Sequence, residues 1–287
     1  MARGLDHIVH AVRDLDACGT LYERLGFIVG ARNRHDWGTH NRVVQLPGFF
    51  IELLTFAEPD KLGRDGLSQH FGAPNRDFLT RQDGLSGLLL DSRDAAADAA
   101  LYRDAGIAAA EPLRFGREGR RPDGTPIRLA FSLAFARDPA GAEAVFAACQ
   151  HHFPENFWNP AFQQHRNGTT GVAGVVMVAD NPSDHHIFLS AFTGERELLA
   201  TSSGVTVTTP RGTIQVMDPS AYQRHFGVPP PDLARGARLA ALVFAVRDRA
   251  QVAAQLEQAK IAAAERMGRI VVGPRDAMGA TLAFEQS

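Results

Sequence analysis

Two ionisable side chains stand inside short apolar runs: His7 within Leu5–Val12 (LDHIVHAV) and Glu52 within Phe49–Thr55 (FFIELLT). Runs of this length read as strands, whose side chains alternate between two faces. His7 then shares a face with Leu5, Val9 and Ala11, and Glu52 with Phe50 and Leu54. A carboxylate between large apolar neighbours is costly to bury unless a cation, a hydrogen-bond network or cavity water compensates it. Imidazole and carboxylate together suit two chemistries, ligation of a divalent ion or proton transfer. Glu52 is the candidate catalytic group, as a base whose pKa a pocket raises and a metal lowers. The bland readings pair Glu52 with an arginine such as Arg42 and make His7 a core histidine bonded to backbone.

Further candidates follow from spacing. His40 and Asn41 are neighbours on one strand and face opposite ways, so one of them reaches the site. Asn41, in alternation with Thr39 and Val43, is the expected substrate hydrogen-bonder, with His40 the other candidate. Trp37, Phe157 and Trp158 suit a pocket mouth or the packing between domains. His151 and His152 close an apolar run, and a pair at a strand end has one member inward. His185 and His186 read as an exposed helix start. Serine-nucleophile, Walker and dinucleotide-binding glycine signatures are absent.

Composition sets the outer bounds. The 287 residues suffice for two ordinary domains, and a formal net charge of -2 with mixed signs gives no nucleic-acid footprint. The one basic stretch, Arg114 to Arg121, is broken by Gly and reads as a solvated loop. Cys18 and Cys149 lack metal-type spacing and read as buried small hydrophobes in a reducing compartment. No apolar run approaches the ~20 residues of a membrane span. The first strand begins within four residues, leaving no room for a signal peptide, so a cytoplasmic location is expected. The expected partner is a small-molecule substrate, with a homodimer open.

The elements around the pair repeat. A strand (Leu5 to Val12), a helix closed by Gly26, and strands at Phe27 to Ala31, His40 to Leu46 and Phe49 to Phe56 give the order β-α-β-β-β. It restarts at Leu85, Val172 and Leu239. Aspartates 14, 180 and 248 follow three of the first strands and suit helix caps. Aligning on them sets His7 against Ala173 and Ala241. The expected fold is α+β, with four βαβββ modules in two tandem domains with curved mixed sheets. Residues 1–160 hold modules at about 4–56 and 85–152, and residues 161–287 hold modules at about 170–218 and 237–287. The stretch from Ala57 to Asp83 is a linker whose Phe71 and Phe78 pack on the sheet.

Four such units, LDHIVHAVRDLDA at the start, GTHNRVVQLPGFFIELL after it and PRDAMGATLAFEQ at the end resemble the vicinal oxygen chelate superfamily, and within it the glyoxalase-like domain proteins. The superfamily includes glyoxalase I, extradiol dioxygenases and fosfomycin-resistance proteins. The resemblance implies a cup-shaped site with a divalent ion (Mn, Fe(II), Ni, Co or Zn) held by a His on the first strand and a Glu on the fourth. His7 and Glu52 match these positions in module 1. Module 2 offers Gly87, with Gln150 or His152 at the fourth strand. His152 is carried forward as a third metal ligand and Gln150 as a substrate contact. Module 3 offers Ala173 and Gln215, and module 4 offers Ala241 with Ala283 or Glu285. The function implied is a metal-dependent lyase, isomerase or dioxygenase on a small oxygen-rich substrate. The alternative is a non-catalytic binding protein on the same scaffold.

Overall fold

The computed structural model describes residues 2–120 and 124–287. The first four strands are β1 (Leu5–Ala11), β2 (Asn33–Arg34), β3 (Thr39–Leu46) and β4 (Phe49–Phe56). The next four are β5 (Gly84–Ser92), β6 (Leu113–Arg120), β7 (Pro126–Ala136) and β8 (Val145–His151). They form one sheet in the order β2-β3-β4-β1-β5-β8-β7-β6. A second sheet uses β9 (Thr169–Val178), β10 (Leu198–Thr201), β11 (Gly204–Thr208) and β12 (Thr213–Met217). It is completed by β13 (Arg238–Val246), β14 (Ala264–Arg266), β15 (Arg269–Val272) and β16 (Thr281–Gln286). Its order, β10-β11-β12-β9-β13-β16-β15-β14, repeats the first.

In every module the first strand is parallel to the fourth, which requires a crossover, here a helix. The crossovers are α1 (Leu15–Arg24), α3 (Ala95–Asp104), α5 (His186–Thr193) and α7 (Arg249–Gln258). Between these lie α2 (Ala73–Leu79), α4 (Pro154–Phe157) and α6 (Pro219–Phe226). The architecture is α+β with four βαβββ modules, as the repeat implies. Asp14, Asp94 and Asp248 cap α1, α3 and α7 through the first backbone N–H groups. Asp180 does not cap its helix; Asn181 caps the turn ahead of α5. His185, expected at the surface, is buried and its Nδ1 lies 2.5 Å from Asp138 Oδ2. The second strand falls at 33–34 rather than 27–31, because Phe27 turns into the core against Phe244 and Phe284.

One irregularity recurs in all four first strands. Where β1 and β5 pair, Leu5 opposes Leu90 but His7 opposes Leu89, so Asp6 is an extra residue, a β-bulge. The same reading places bulges at Ser86, Ala240 and Ala173. Each shifts the alternation by one. Leu5 therefore enters the core shared by both sheets and their helices, while His7 and Val9 turn to the opposite face. The expectation that Leu5 and His7 share a face fails here. The bulge also resets the correspondence between modules. His7 matches Gly87, Gly174 and Ala241, so Ala173 is the bulge itself rather than the His7 position. Glu52, opposite Val9, matches Ala147, Gln215 and Ala283.

The first sheet curls on itself. Eight flat strands at ~4.8 Å spacing would hold the edges about 34 Å apart. Yet Arg117 on β6 hydrogen-bonds Asn33 on β2, and Phe115 packs edge-on against Trp37 at 5.2 Å. The second sheet fills its own cup instead. Tyr222 and Phe226 of α6 insert among Val176, Val243 and Ala283, and the Tyr222 hydroxyl donates to Thr281 Oγ1 at 2.7 Å. Phe226→Ala should lower stability by roughly 3–5 kcal/mol, as a large core truncation does. Chemical denaturation of the variant, with a lower midpoint and unchanged slope, checks this.

Candidate active site

The cup of the first sheet holds a cavity of about 60 Å³. Its polar lining is His7, His35, Asn41, Glu52 and Arg117, and its walls are largely aromatic. β1 and β4 supply its centre, β3 one side and the β6–β7 hairpin the other.

His7 stacks on Phe50, with ring centroids 4.2 Å apart and planes 17° from parallel. Its Nδ1 lies 2.6 Å from Asp6 Oδ2. Asp6 also meets His151, whose Nε2 lies 3.1 Å from Oδ1. Burial alone would raise the Asp6 carboxyl, but His151 and His7 together hold it well below the usual carboxylate range. An ionised Asp6 accepts the Nδ1–H of His7, which leaves Nε2 with its lone pair and no hydrogen-bond partner among the described residues. The Cys149 thiol also bonds Asp6, and burial pushes its pKa well up, so it stands as a neutral thiol.

Glu52 is buried in the opposite sense. Asn41 Nδ2 donates to its Oε1 at 2.6 Å, and Asn41 in turn accepts from Asn33. Burial raises the Glu52 pKa, opposed in part by His7, the Asn41 bond and Arg117. The group within ion-pair reach is His35, at 4.0 Å, and His35 is neutral. Burial, with Arg117 and His40 beside it, lowers its pKa from 6.5 to about 3. A depressed histidine pKa stabilises the fold above its unfolded value, and that stability is lost as pH falls from about 6.5 toward 3. At pH 5 the loss from His35 is about 2 kcal/mol. Equilibrium unfolding from pH 7 to 4 should show this loss in the wild type and its absence in His35→Gln.

With this geometry in view, the relatives can be placed. Residues 5–193 match the glyoxalase-like domain family. The chain belongs to that family. No curated protein matches this glyoxalase-like chain in sequence. Among solved structures, a hypothetical protein from Staphylococcus aureus superposes with a TM-score of 0.70 at 12% identity, over 99% of this chain and 100% of its own. A mutant of 4-hydroxymandelate synthase from Streptomyces coelicolor gives 0.63 at 14%, covering 99% and 92%. A xylose isomerase-like TIM barrel/4-hydroxyphenylpyruvate dioxygenase fusion protein gives 0.56 at 11%, covering 100% of this chain and 49% of its own. At these identities the likeness is one of fold.

The glyoxalase-like site departs from the metal-holding arrangement implied by the wider superfamily. Its module 2 positions are Gly87 and Ala147, neither of which can ligate. Gly87 is closely packed: a β-carbon there would meet Val9 Cγ2 at 3.1 Å, and the neighbour would have to give by a few tenths of an ångström. Asp6, His7 and Cys149 do place ligand-capable atoms within 4.8 Å of one another. The His7 Nδ1 contact with Asp6, however, spends two of those atoms on each other. With Nδ1 held by Asp6 and Nε2 free, His7 and Glu52 fill two of the superfamily's ligand positions and module 2 fills neither of its own.

Several expected contacts lie elsewhere. His152 bonds Ser132 Oγ at 2.8 Å, and its neighbour His151 is the inward member of the pair. Gln150 accepts from Ala95 N and donates to Arg93 O, holding the start of α3. His40 pairs with Glu58 at 3.0 Å and with Arg32, away from the cavity. Arg42 bonds Glu23 rather than Glu52. Trp37, Asn41, His7 and Glu52 line the cavity together, joined by Phe157. Two residues had been passed over. Strict alternation would place Asp6 on the face opposite His7, and the bulge brings the two together. Arg117 sat in a stretch read as loop, and residues 114–120 of that stretch belong to β6; Arg121 lies outside the described residues.

Proposed function

We propose that this protein is a lyase or isomerase that moves a proton on a small oxygen-bearing substrate without a metal ligated by the superfamily's residue set. The observation that carries the reading is Glu52: a buried carboxyl on a cavity wall, held by one amide and not by a cation. A raised pKa makes its carboxylate a stronger base, and bases matched to neutral pH are the efficient ones. In the proposed step, Glu52 takes a proton from a carbon next to a carbonyl. His7 first takes a proton from solvent at its free Nε2 and then gives it to the carbonyl oxygen, and Asp6 stabilises the intervening imidazolium. Returning the protons at a neighbouring position completes an isomerisation; losing a β-substituent instead completes an elimination. The aromatic walls and the curled edges exclude water from the exchange.

A dioxygenase would need an iron site, for which the usual set is two histidines and a carboxylate on open faces; His7 and Glu52 supply two of the three. Sequestration without chemistry is the second reading, and Gly87 and Ala147 favour it. Solvent-deuterium incorporation into a panel of 2-oxo and 2-hydroxy acids, followed by proton NMR, separates the two. Wild-type protein should exchange at least one panel member, and His7→Gln should slow that exchange by roughly 10²-fold or more. Binding without exchange across the panel would support sequestration.

A further inference from the structure

We propose that the cavity takes a small, flat carboxylate, whose charge pairs with Arg117 while its apolar body lies against the aromatic walls. This rests on the reading of the cavity as a substrate site and names what that site selects. Arg117 reaches the cavity from β6, and its Nη1 bonds the Asn33 side-chain oxygen, a neutral amide. No carboxylate among the described residues comes within 4.0 Å of its guanidinium. Guanidinium keeps its charge at any ordinary pH. A part-buried cation whose hydrogen-bond partner is a neutral amide is under-compensated, and an anion that arrives from outside gains what the protein has left unpaired. Glu52 acts on Arg117 through space, from beyond ion-pair distance, and burial raises the Glu52 pKa.

The rest of the cavity defines the shape. His35 stacks on Trp37 at 4.5 Å and 13°, and His7 stacks on Phe50 at 4.2 Å and 17°. Phe115 closes the space edge-on to both His35 and Trp37. Such walls accept a planar conjugated body. The volume of about 60 Å³ keeps the ligand small. A carboxylate matches the planar fork of arginine with two parallel hydrogen bonds. It also sets its neighbouring carbon in the same cavity as Glu52, where the proposed proton transfer would act.

Two matched pairs test this: crotonate against crotonamide and benzoate against benzamide, each pair alike in shape and different in charge. Affinity is read by titration calorimetry and by the shift in melting temperature. At least one acid should bind wild type tenfold or more tighter than its amide. Arg117→Met should bring that acid down to the level of its amide, and Arg117→Lys should keep part of the preference. Equal binding of acid and amide in wild type would overturn the carboxylate while leaving the cavity a site for neutral ligands. A preference that survives in Arg117→Met would overturn the role of Arg117, and failure of all four probes to bind would overturn the proposal. The deuterium exchange described above reports on proton transfer independently of these affinities.

Discussion

Glu52→Gln is expected to remove activity by roughly 10²- to 10⁴-fold, the usual range for a general base, and at the same time to make the protein more stable at neutral pH. The sign follows from burial. A group whose folded pKa is raised contributes fully below its unfolded value, here near 4.5, and loses that contribution as pH rises through the folded value. At pH 7 the wild type therefore carries a carboxyl that its surroundings would prefer neutral. Glutamine keeps the shape and an acceptor for Asn41 and removes the charge. The melting temperature should rise, by roughly 2–4 °C for each kcal/mol relieved, and the gain should shrink as pH falls from the folded value toward about 4.5 and be gone below it. Thermal unfolding of the two proteins across pH 4 to 8 reads both effects. Stability gained where activity is lost is the mark of a residue kept for chemistry. A structural carboxylate would give the opposite sign.

Asp6→Ala has the largest expected cost. It removes the shared acceptor of His7 Nδ1, which is buried, and His151 Nε2, which is partly buried. Breaking a buried, hydrogen-bonded pair from one side costs roughly 3–5 kcal/mol, because the partners are left unsatisfied. Here the sign with pH is reversed from Glu52. The Asp6 pKa is lowered in the fold, so its contribution is present above the ordinary value of 3.8 and disappears as pH falls through the folded value. The difference between wild type and variant, measured by denaturant unfolding, should be full at pH 7 and narrow only in strong acid. Asp6→Asn keeps an acceptor and should lose less stability, while still slowing proton transfer through His7.

The repeat of strand, helix and three strands was legible because each element has its own period, and four copies reinforce one another. His7 and Glu52 were legible as ionisable residues out of place in apolar runs. The chemistry that joins them was not. Strict alternation sent Asp6 to the far face, and a bulge leaves no mark in a single sequence beyond one residue too many. Arg117 was hidden for a different reason. The glycines and arginines of Leu113–Arg120 suggested a loop, although Leu113, Phe115 and Arg117 fall on alternate positions and are the less exposed ones. Reading period two through a charged edge strand would have found it. Gln150 and His152 were misplaced because the fourth-strand position of module 2 falls at Ala147, three to five residues earlier, which only the ladder between β5 and β8 reveals.

The account turns on the ionisation of one side chain. The pH titration of the Glu52 carboxyl carbon, assigned by comparison with Glu52→Gln in ¹³C NMR, tests it most directly. A pKa above the ordinary value of 4.5 is the predicted result. A value at or below it, as an ion-paired or metal-bound carboxylate would show, would contradict the account.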